Sequence, residues 1–247
     1  MGSSSSKSSP ARFKTIQEVQ KAIRSAGLES SNLIFGIDYT CSNEDNGKIS
    51  FHGKSLHNCT VINPYMEVIQ ILGETLEPFD DDHIIPTFGF GDMQTSDKKV
   101  FPFFPDRQPL GFKEVLERYK EITPKVRLHG PTSFRPLINE AIRITKDRRA
   151  YHILVIVTDG KVTNEQENIQ AIVDASNYPI SIICIGVGDG PWDSMHTFDD
   201  QIPKRRFDNF HFLEFNDVMK KHCENFAPAF ALECLQEIPE QFDYIIE

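Results

Sequence analysis

Leu33-Ile34-Phe35-Gly36-Ile37-Asp38-Tyr39-Thr40-Cys41-Ser42 is the stretch that decides the fold. A run of mostly apolar residues leads into an acid, and hydroxyls follow at alternate positions. Such a run reads as a parallel strand buried on both faces. Open α/β sheets place their ligands at the carboxyl ends of strands, where Asp38 sits. In an extended or looping segment Asp38, Thr40 and Ser42 can point the same way. They supply one carboxylate and two neutral oxygens, a set that suits a hard divalent cation such as Mg²⁺.

The design recurs in Tyr151-His152-Ile153-Leu154-Val155-Ile156-Val157-Thr158-Asp159-Gly160, again an apolar run, an acid and a turn. Ile84 to Gly91, Ile180 to Gly188 and Phe210 to Phe215 read as further strands, and Val100 to Phe104 as a short edge strand. Pro86 places the first of these at an edge or at a strand's start. Between the strands lie helical spacings. Thr15 to Ala26 carries Ile16, Val19, Ala22 and Ile23, with Thr15 and Glu18 as a capping box and Gly27 as a stop. Asn63-Pro64 opens a second helix. Gly111 to Glu121, Pro136 to Lys146 and Asn164 to Ser176 follow, then a helix capped by Asn216 and a closing helix over Phe226 to Glu237. Asn43 to Thr60 reads as a long polar loop. Strands alternating with helices predict an α/β fold, a doubly wound, mostly parallel sheet in a single domain.

If the two acid-ended strands are neighbours where the strand order reverses, Asp38, Thr40, Ser42, Asp159 and Thr132, from the hydroxyl-bearing turn Leu128 to Phe134, converge on one crevice. Two carboxylates and three hydroxyls leave a bound cation with net positive charge, so it still attracts an anionic group. That is a recognition site, and a partner's carboxylate would complete the shell. No histidine or glutamate is placed by the sequence as a general base.

The net charge of −10 argues against a nucleic-acid surface. The five cysteines are widely spaced and form no C-x-x-C, so neither a zinc site nor a disulfide framework is indicated. Free thiols suit the cytosol, and the nucleus is not excluded. No apolar run reaches the ~18 residues of a membrane span. Residues 1–12 form a low-complexity tail that begins Met1-Gly2-Ser3-Ser4-Ser5-Ser6, the N-myristoylation pattern at Gly2. With Lys7, Arg12 and Lys14 nearby and no acid before Ile16, that tail favours an anionic leaflet, here the inner face of the plasma membrane. Residues 13–247 form the folded domain.

Two enzyme readings compete. A haloacid-dehalogenase-type phosphotransferase needs D-x-D, and Thr40 stands where its proton donor would be. Dinucleotide binding would use Gly186-x-Gly188-x-Gly190, which follows a late strand and lacks the G-x-G-x-x-G spacing. Trp192 reads as a packing anchor. His52 and His57 read as solvated, and Lys204-Arg205-Arg206 as a wet basic surface.

The D-x-T-x-S, the distant Thr132 and the Thr158-Asp159-Gly160 triplet resemble the metal-ion-dependent adhesion site of von Willebrand factor A domains. Gly27 to Ile34, Phe88-Gly89-Phe90-Gly91-Asp92, Gly130-Pro131-Thr132-Ser133-Phe134, Gly186 to Trp192 and Phe207 to Phe210 resemble the copine-type A domain, above all the version in plant RING-type E3 ubiquitin ligases. The resemblance covers residues 13 to 247. It implies the A-domain fold and a site for Mg²⁺, or Mn²⁺ or Ca²⁺, at Asp38, Thr40, Ser42, Thr132 and Asp159. It also implies a protein partner that offers an acidic motif, and it strengthens the lipidation reading of Gly2. Copines carry two C2 domains ahead of this one, and the plant ligases a cysteine- and histidine-rich RING after it. Neither pattern occurs within these 247 residues. The expectation is a binding module rather than an enzyme in its own right. The alternative is the substrate-recognition part of a ubiquitin ligase.

Overall fold

The computed structural model describes residues 13–160, 162–202 and 205–246. The tail that carries Gly2 lies outside them. The core element is a six-stranded sheet in the order β3-β2-β1-β4-β5-β6. Its strands are β1 (Asn32–Asp38), β2 (Thr87–Phe90), β3 (Phe101–Pro102), β4 (His152–Thr158), β5 (Ile180–Gly186) and β6 (Phe210–Glu214). All neighbours are parallel except β3, which runs antiparallel to β2 at the edge. The sheet is mixed, and mostly parallel as the sequence suggests.

Nine helices flank it among the described residues. They are α1 (Ile16–Ser25), α2 (Pro64–Leu76), α3 (Gly111–Ile122), α4 (Arg135–Arg148), α5 (Glu165–Ala175), α6 (Asp193–Asp200), α7 (Phe215–Lys221), α8 (Phe226–Leu235) and α9 (Ile238–Ile246). None is long and apolar enough to cross a membrane.

The period-2 alternation of the central strands divides the core in two. Leu33, Phe35 and Ile37 of β1 join Ile153, Val155 and Val157 of β4 on the face covered by α1, α2, α3 and α8. Ile34, Leu154 and Ile156 point the other way, with Leu137 and Ile138 of α4 and Ile172 of α5. Gly36 lies on this second face, and a Cβ there would run into Leu137 Cδ2. The missing side chain is what lets α4 settle against β1.

Local signals hold at the helix starts. Thr15 and Glu18 cap α1 reciprocally, and the Asn63 side chain accepts from Met66 N–H at 3.0 Å at the head of α2. Several boundaries move. Pro86 precedes a shorter β2 that is not an edge, because β3 pairs outside it. Phe215 opens α7 rather than ending β6, and Asn216 is not its cap. The Asn216 amide instead donates to the Gly188 carbonyl at 2.7 Å. The closing helix stops at Leu235, and α9 follows. Neither α6 nor α9 was expected, since α6 is short and acidic and α9 begins at Ile238-Pro239, where proline reads as a break. It stands there in the first turn, where its missing N–H costs nothing.

Arg205 is also not a wet residue. It pairs with Asp208 at 2.6 Å, and its side chain is 9% exposed. Trp192 behaves as read, packing over Gly186 and 5.6 Å from the Phe212 ring.

The Gly36 contact makes a prediction. Gly36→Ala should destabilise the fold by about 1–3 kcal/mol through overpacking. Combined with Leu137→Ala, which alone opens a cavity, it should cost less than the sum of the two single changes. Urea unfolding of the four proteins measures that coupling.

Candidate metal centre

The strand order reverses at β1, whose successor β2 lies on one side and β4 on the other. Ligand crevices of open sheets form at such a switch point. Here the register sets Ile37 opposite Val157, so Asp38 and the Thr158-Asp159 pair emerge side by side at the carboxyl ends. Both carboxylates are almost fully buried, Asp38 at 0% and Asp159 at 1% exposure.

Asp38 is held from two directions. Its Oδ1 accepts from Thr40 N–H at 2.8 Å and its Oδ2 from the Thr158 hydroxyl at 2.6 Å. A hydroxyl chain then joins the two acids. Thr40 Oγ1 and Ser42 Oγ lie 3.0 Å apart, and Ser42 donates to Asp159 Oδ1 at 2.9 Å. Either hydroxyl of the Thr40–Ser42 pair can be the donor, and the Thr40 side chain also bonds Asp38. Gly91, at φ +79° just beyond β2, gives Thr40 room, since a Cβ there would strike Thr40 Cγ2.

Four of the five expected residues are thus joined by direct hydrogen bonds. Thr132 is placed differently. Its loop is tied to the Asp38 segment through His129, whose carbonyl accepts from Cys41 N–H at 2.9 Å. It is tied to the Asp159 side through Thr163, which donates both N–H and hydroxyl to the Thr132 carbonyl, at 2.9 and 3.0 Å. The loop therefore lies between the two acid-bearing segments. The Thr132 hydroxyl has no hydrogen-bond partner among the described residues.

Burial pushes the Asp38 carboxyl above the ordinary carboxylate range, against the bonds from Thr158 and Thr40. Burial, then the nearby Asp38 charge, pushes Asp159 up to about 8. Two acids are being held where neither ionises easily. A cation between them would relieve both, and removing protons from them is the cost of binding one. Among the described residues no group of three or more His, Cys, Asp or Glu side chains is arranged to hold a metal. The set here is two carboxylates and hydroxyls, which fits a cation that takes oxygen ligands and keeps part of its water.

Several supporting residues were not legible in the sequence. The Asn46 amide donates to Asp159 at its carbonyl (2.9 Å) and at Oδ2 (3.0 Å). Asn43, fully buried, donates to the Thr40 carbonyl at 3.1 Å and accepts from Tyr65 OH at 2.6 Å.

His57 is the main correction. It is buried rather than solvated, stacked between Tyr39 (4.7 Å) and Tyr65 (4.2 Å). One ring nitrogen lies 2.7 Å from the Asp38 carbonyl and the other 2.7 Å from Tyr119 OH. Burial lowers its pKa to about 4, so it is neutral and props the backbone beneath the acids. His52 is exposed, as expected. Asparagines that follow an acid-hydroxyl motif do signal a polar turn, but spacing does not say which one faces the site.

Comparison with known proteins follows from this geometry. The copine family model matches residues 55–247. E3 ubiquitin-protein ligase RGLG4 of Arabidopsis thaliana is 51% identical over 96% of this chain and 64% of its own length. Copine family protein 2 of Caenorhabditis elegans is 52% identical over 95% of this chain and 3% of its own. This chain therefore spans less than two thirds of either relative. Among solved structures, a manganese-loaded TRAP protein of Plasmodium vivax aligns with a TM-score of 0.54 at 13% identity, over 79% of this chain and 73% of that one. A von Willebrand factor type A structure from Catenulispora acidiphila aligns at 0.51 and 15% identity, over 87% of this chain and 43% of its own. At such identities the likeness shows the fold, which is that of a von Willebrand factor A domain.

The raised acids fix a sign for pH dependence. An acid whose folded pKa lies above its unfolded value binds more protons when folded, so stability falls as pH rises between the two. For Asp159 the window runs from about 4 to about 8. Without divalent cations the melting temperature should fall across that window. Asp159→Asn should flatten part of the fall, and scanning calorimetry with chelator present reads the difference. An equal slope in the variant would show that Asp159 is not the strained acid.

Proposed function

The chain belongs to the copine family, and from that premise we propose that it is a metal-dependent protein-interaction module. Asp38, Thr40, Ser42, Thr132 and Asp159 would hold Mg²⁺, directly or through water, with Mn²⁺ or Ca²⁺ as substitutes. The bound cation supplies a Lewis-acidic position that an acidic side chain of a partner protein can occupy. The observation that carries this reading is the hydroxyl chain from Thr40 through Ser42 to Asp159, set beside a second buried carboxylate, Asp38. Neutral oxygens between two strained acids offer ligands without cancelling the metal's charge, and so leave it attractive to an anion.

The chain's own groups act by position. Thr158 and the Thr40 N–H fix Asp38, Asn46 fixes Asp159, and His57 with Tyr65 supports the Asp38 carbonyl. Holding ligands in place before the cation arrives lowers the ordering cost of binding and raises affinity.

Membrane attachment through a myristoylated Gly2, with the protein in the cytoplasm against the inner leaflet, belongs to the same proposal. One acyl chain gives marginal, reversible binding, which Lys7, Arg12 and Lys14 would strengthen on anionic lipid. A second reading is favoured by the 51% identity to a plant protein named as an E3 ubiquitin ligase. On it, the same metal site recognises substrates for ubiquitin transfer, and the ligase module is supplied by another segment or chain.

Two measurements test the proposal. Saturating Mg²⁺ at about 100 times its Kd should add about 2.7 kcal/mol of stability, roughly 5–10 °C in a chain of this size. Asp38→Ala should abolish that gain, and an unchanged gain would rule these ligands out. In cells, Gly2→Ala should move protein from the membrane fraction to the soluble one, and equal partition would remove the lipid anchor.

A further inference from the structure

A groove of about 840 Å³ opens between α1, α8 and α9. It lies at the pole of the sheet opposite the metal centre. α1 ends at Ser25 and leads through Leu28 into the start of β1, while Phe207 and Asp208 lead into the start of β6. The metal centre stands at the other ends of these parallel strands.

Behind the groove lie the buried side chains of Ile23, Leu232, Leu235 and Pro239, while its accessible apolar surface comes from the aromatic pair Phe207 and Tyr244, 5.4 Å apart, with Ala22 and Ala26. Tyr244 is 48% exposed. Four carboxylates stand on the lining, Asp208, Glu237, Glu240 and Asp243, with no lysine or arginine among the described lining residues. Arg205 pairs with Asp208 at 2.6 Å, and His211 lies 3.5 Å from Glu237. Glu240 and Asp243 are both exposed and have no ion-pair partner among the described residues.

A separate observation points to a donor. Gln241, 7% exposed, lines the groove, and its buried Oε1 has no hydrogen-bond partner among the described residues. An unmet buried amide oxygen is destabilising, and a donor N–H that reaches it as the groove fills relieves that.

We propose that this groove binds a cationic amphipathic segment of a partner protein, with apolar side chains against the Phe207–Tyr244 pair and lysine or arginine against Glu240 and Asp243. The chemistry chooses among occupants. The acidic rim repels phosphates, so nucleic acid and anionic lipid headgroups do not suit it. A second copy of this chain would bring its own −10 charge and, in a twofold arrangement, set carboxylate against carboxylate. An amphipathic helix laid into a groove buries one apolar face and keeps its charges at the rim, which matches walls and rim of this kind. The surface is independent of the metal, so a partner held here leaves the opposite pole open.

The test uses the full chain and, as probe, a short fluorescein-labelled synthetic helix of leucine and lysine, followed by fluorescence anisotropy. The wild-type protein should bind it, with affinity falling as salt rises. Glu240→Lys with Asp243→Lys should weaken binding at least about tenfold. The charge-matched control Asp106→Lys with Glu117→Lys, on exposed residues that do not line the groove, should change it by less than about threefold. Gln241→Leu, which keeps the volume and removes the acceptor, should weaken it several-fold, with melting temperatures confirming that each variant folds. Chelator and Asp38→Ala should have no effect. No binding by the wild type, equal loss in both charge-reversed proteins, or dependence on Mg²⁺ would overturn the proposal. So would tighter binding after Lys7→Glu with Arg12→Glu, which would assign the groove to this chain's own basic tail.

Discussion

Two buried carboxylates share one small space, and most of the molecule can be understood as the apparatus that keeps them there. The β1–β4 register brings Asp38 and Asp159 out of the sheet together. Burial then pushes both acids upward, and the Asp38 charge adds to it at Asp159, which reaches about 8. An arrangement of that kind relaxes if its supports are loose. It persists because the two strands that carry it are buried on both faces, with side chains of β1 and β4 packed into the cores above and below. Strain at a site survives when the surroundings over-determine it.

The supports come in two tiers. Hydroxyl and amide groups touch the acids themselves: Thr158 and the Thr40 N–H on Asp38, Ser42 and Asn46 on Asp159. Beneath them an aromatic layer carries the backbone. His57 sits between Tyr39 and Tyr65 and bridges the Asp38 carbonyl to Tyr119 of α3, while Asn63 at the head of α2 joins the same hydroxyl. Helices α2 and α3 are thereby connected to the end of β1 through polar contacts in an otherwise apolar core. Buried polar networks are stabilising when every member is satisfied, and they fix a single arrangement.

The two poles of the sheet differ in chemistry. At the carboxyl ends of the strands the acids are buried and linked by hydroxyls. At the amino ends acids rim a groove faced by Phe207 and Tyr244, where the buried Gln241 Oε1 has no hydrogen-bond partner among the described residues. The parallel strands run from one pole to the other, so the two ends present separate surfaces. That suits a module whose relatives carry it within longer proteins, 64% of one and 3% of another being matched here.

The sequence by itself determined the central strands, the starts of α1 and α2, and the chemistry of the candidate ligands. Apolar runs ending in an acid mark buried parallel strands, Thr15 with Glu18 and Asn63 with Pro64 mark helix starts, and an acid followed by alternating hydroxyls names an oxygen-loving site. These signals are local, and local chemistry is what a chain displays along its length. Tertiary structure alone decided that β4 lies beside β1, that Asn46 reaches Asp159 across 113 residues, and that His57 is buried under Asp38 rather than solvated. It also decided that a proline at the head of α9 begins a helix, and that α9 with α1 and α8 encloses a groove. Each of these depends on which distant surfaces meet, and packing between distant segments has no period along the chain that could announce it.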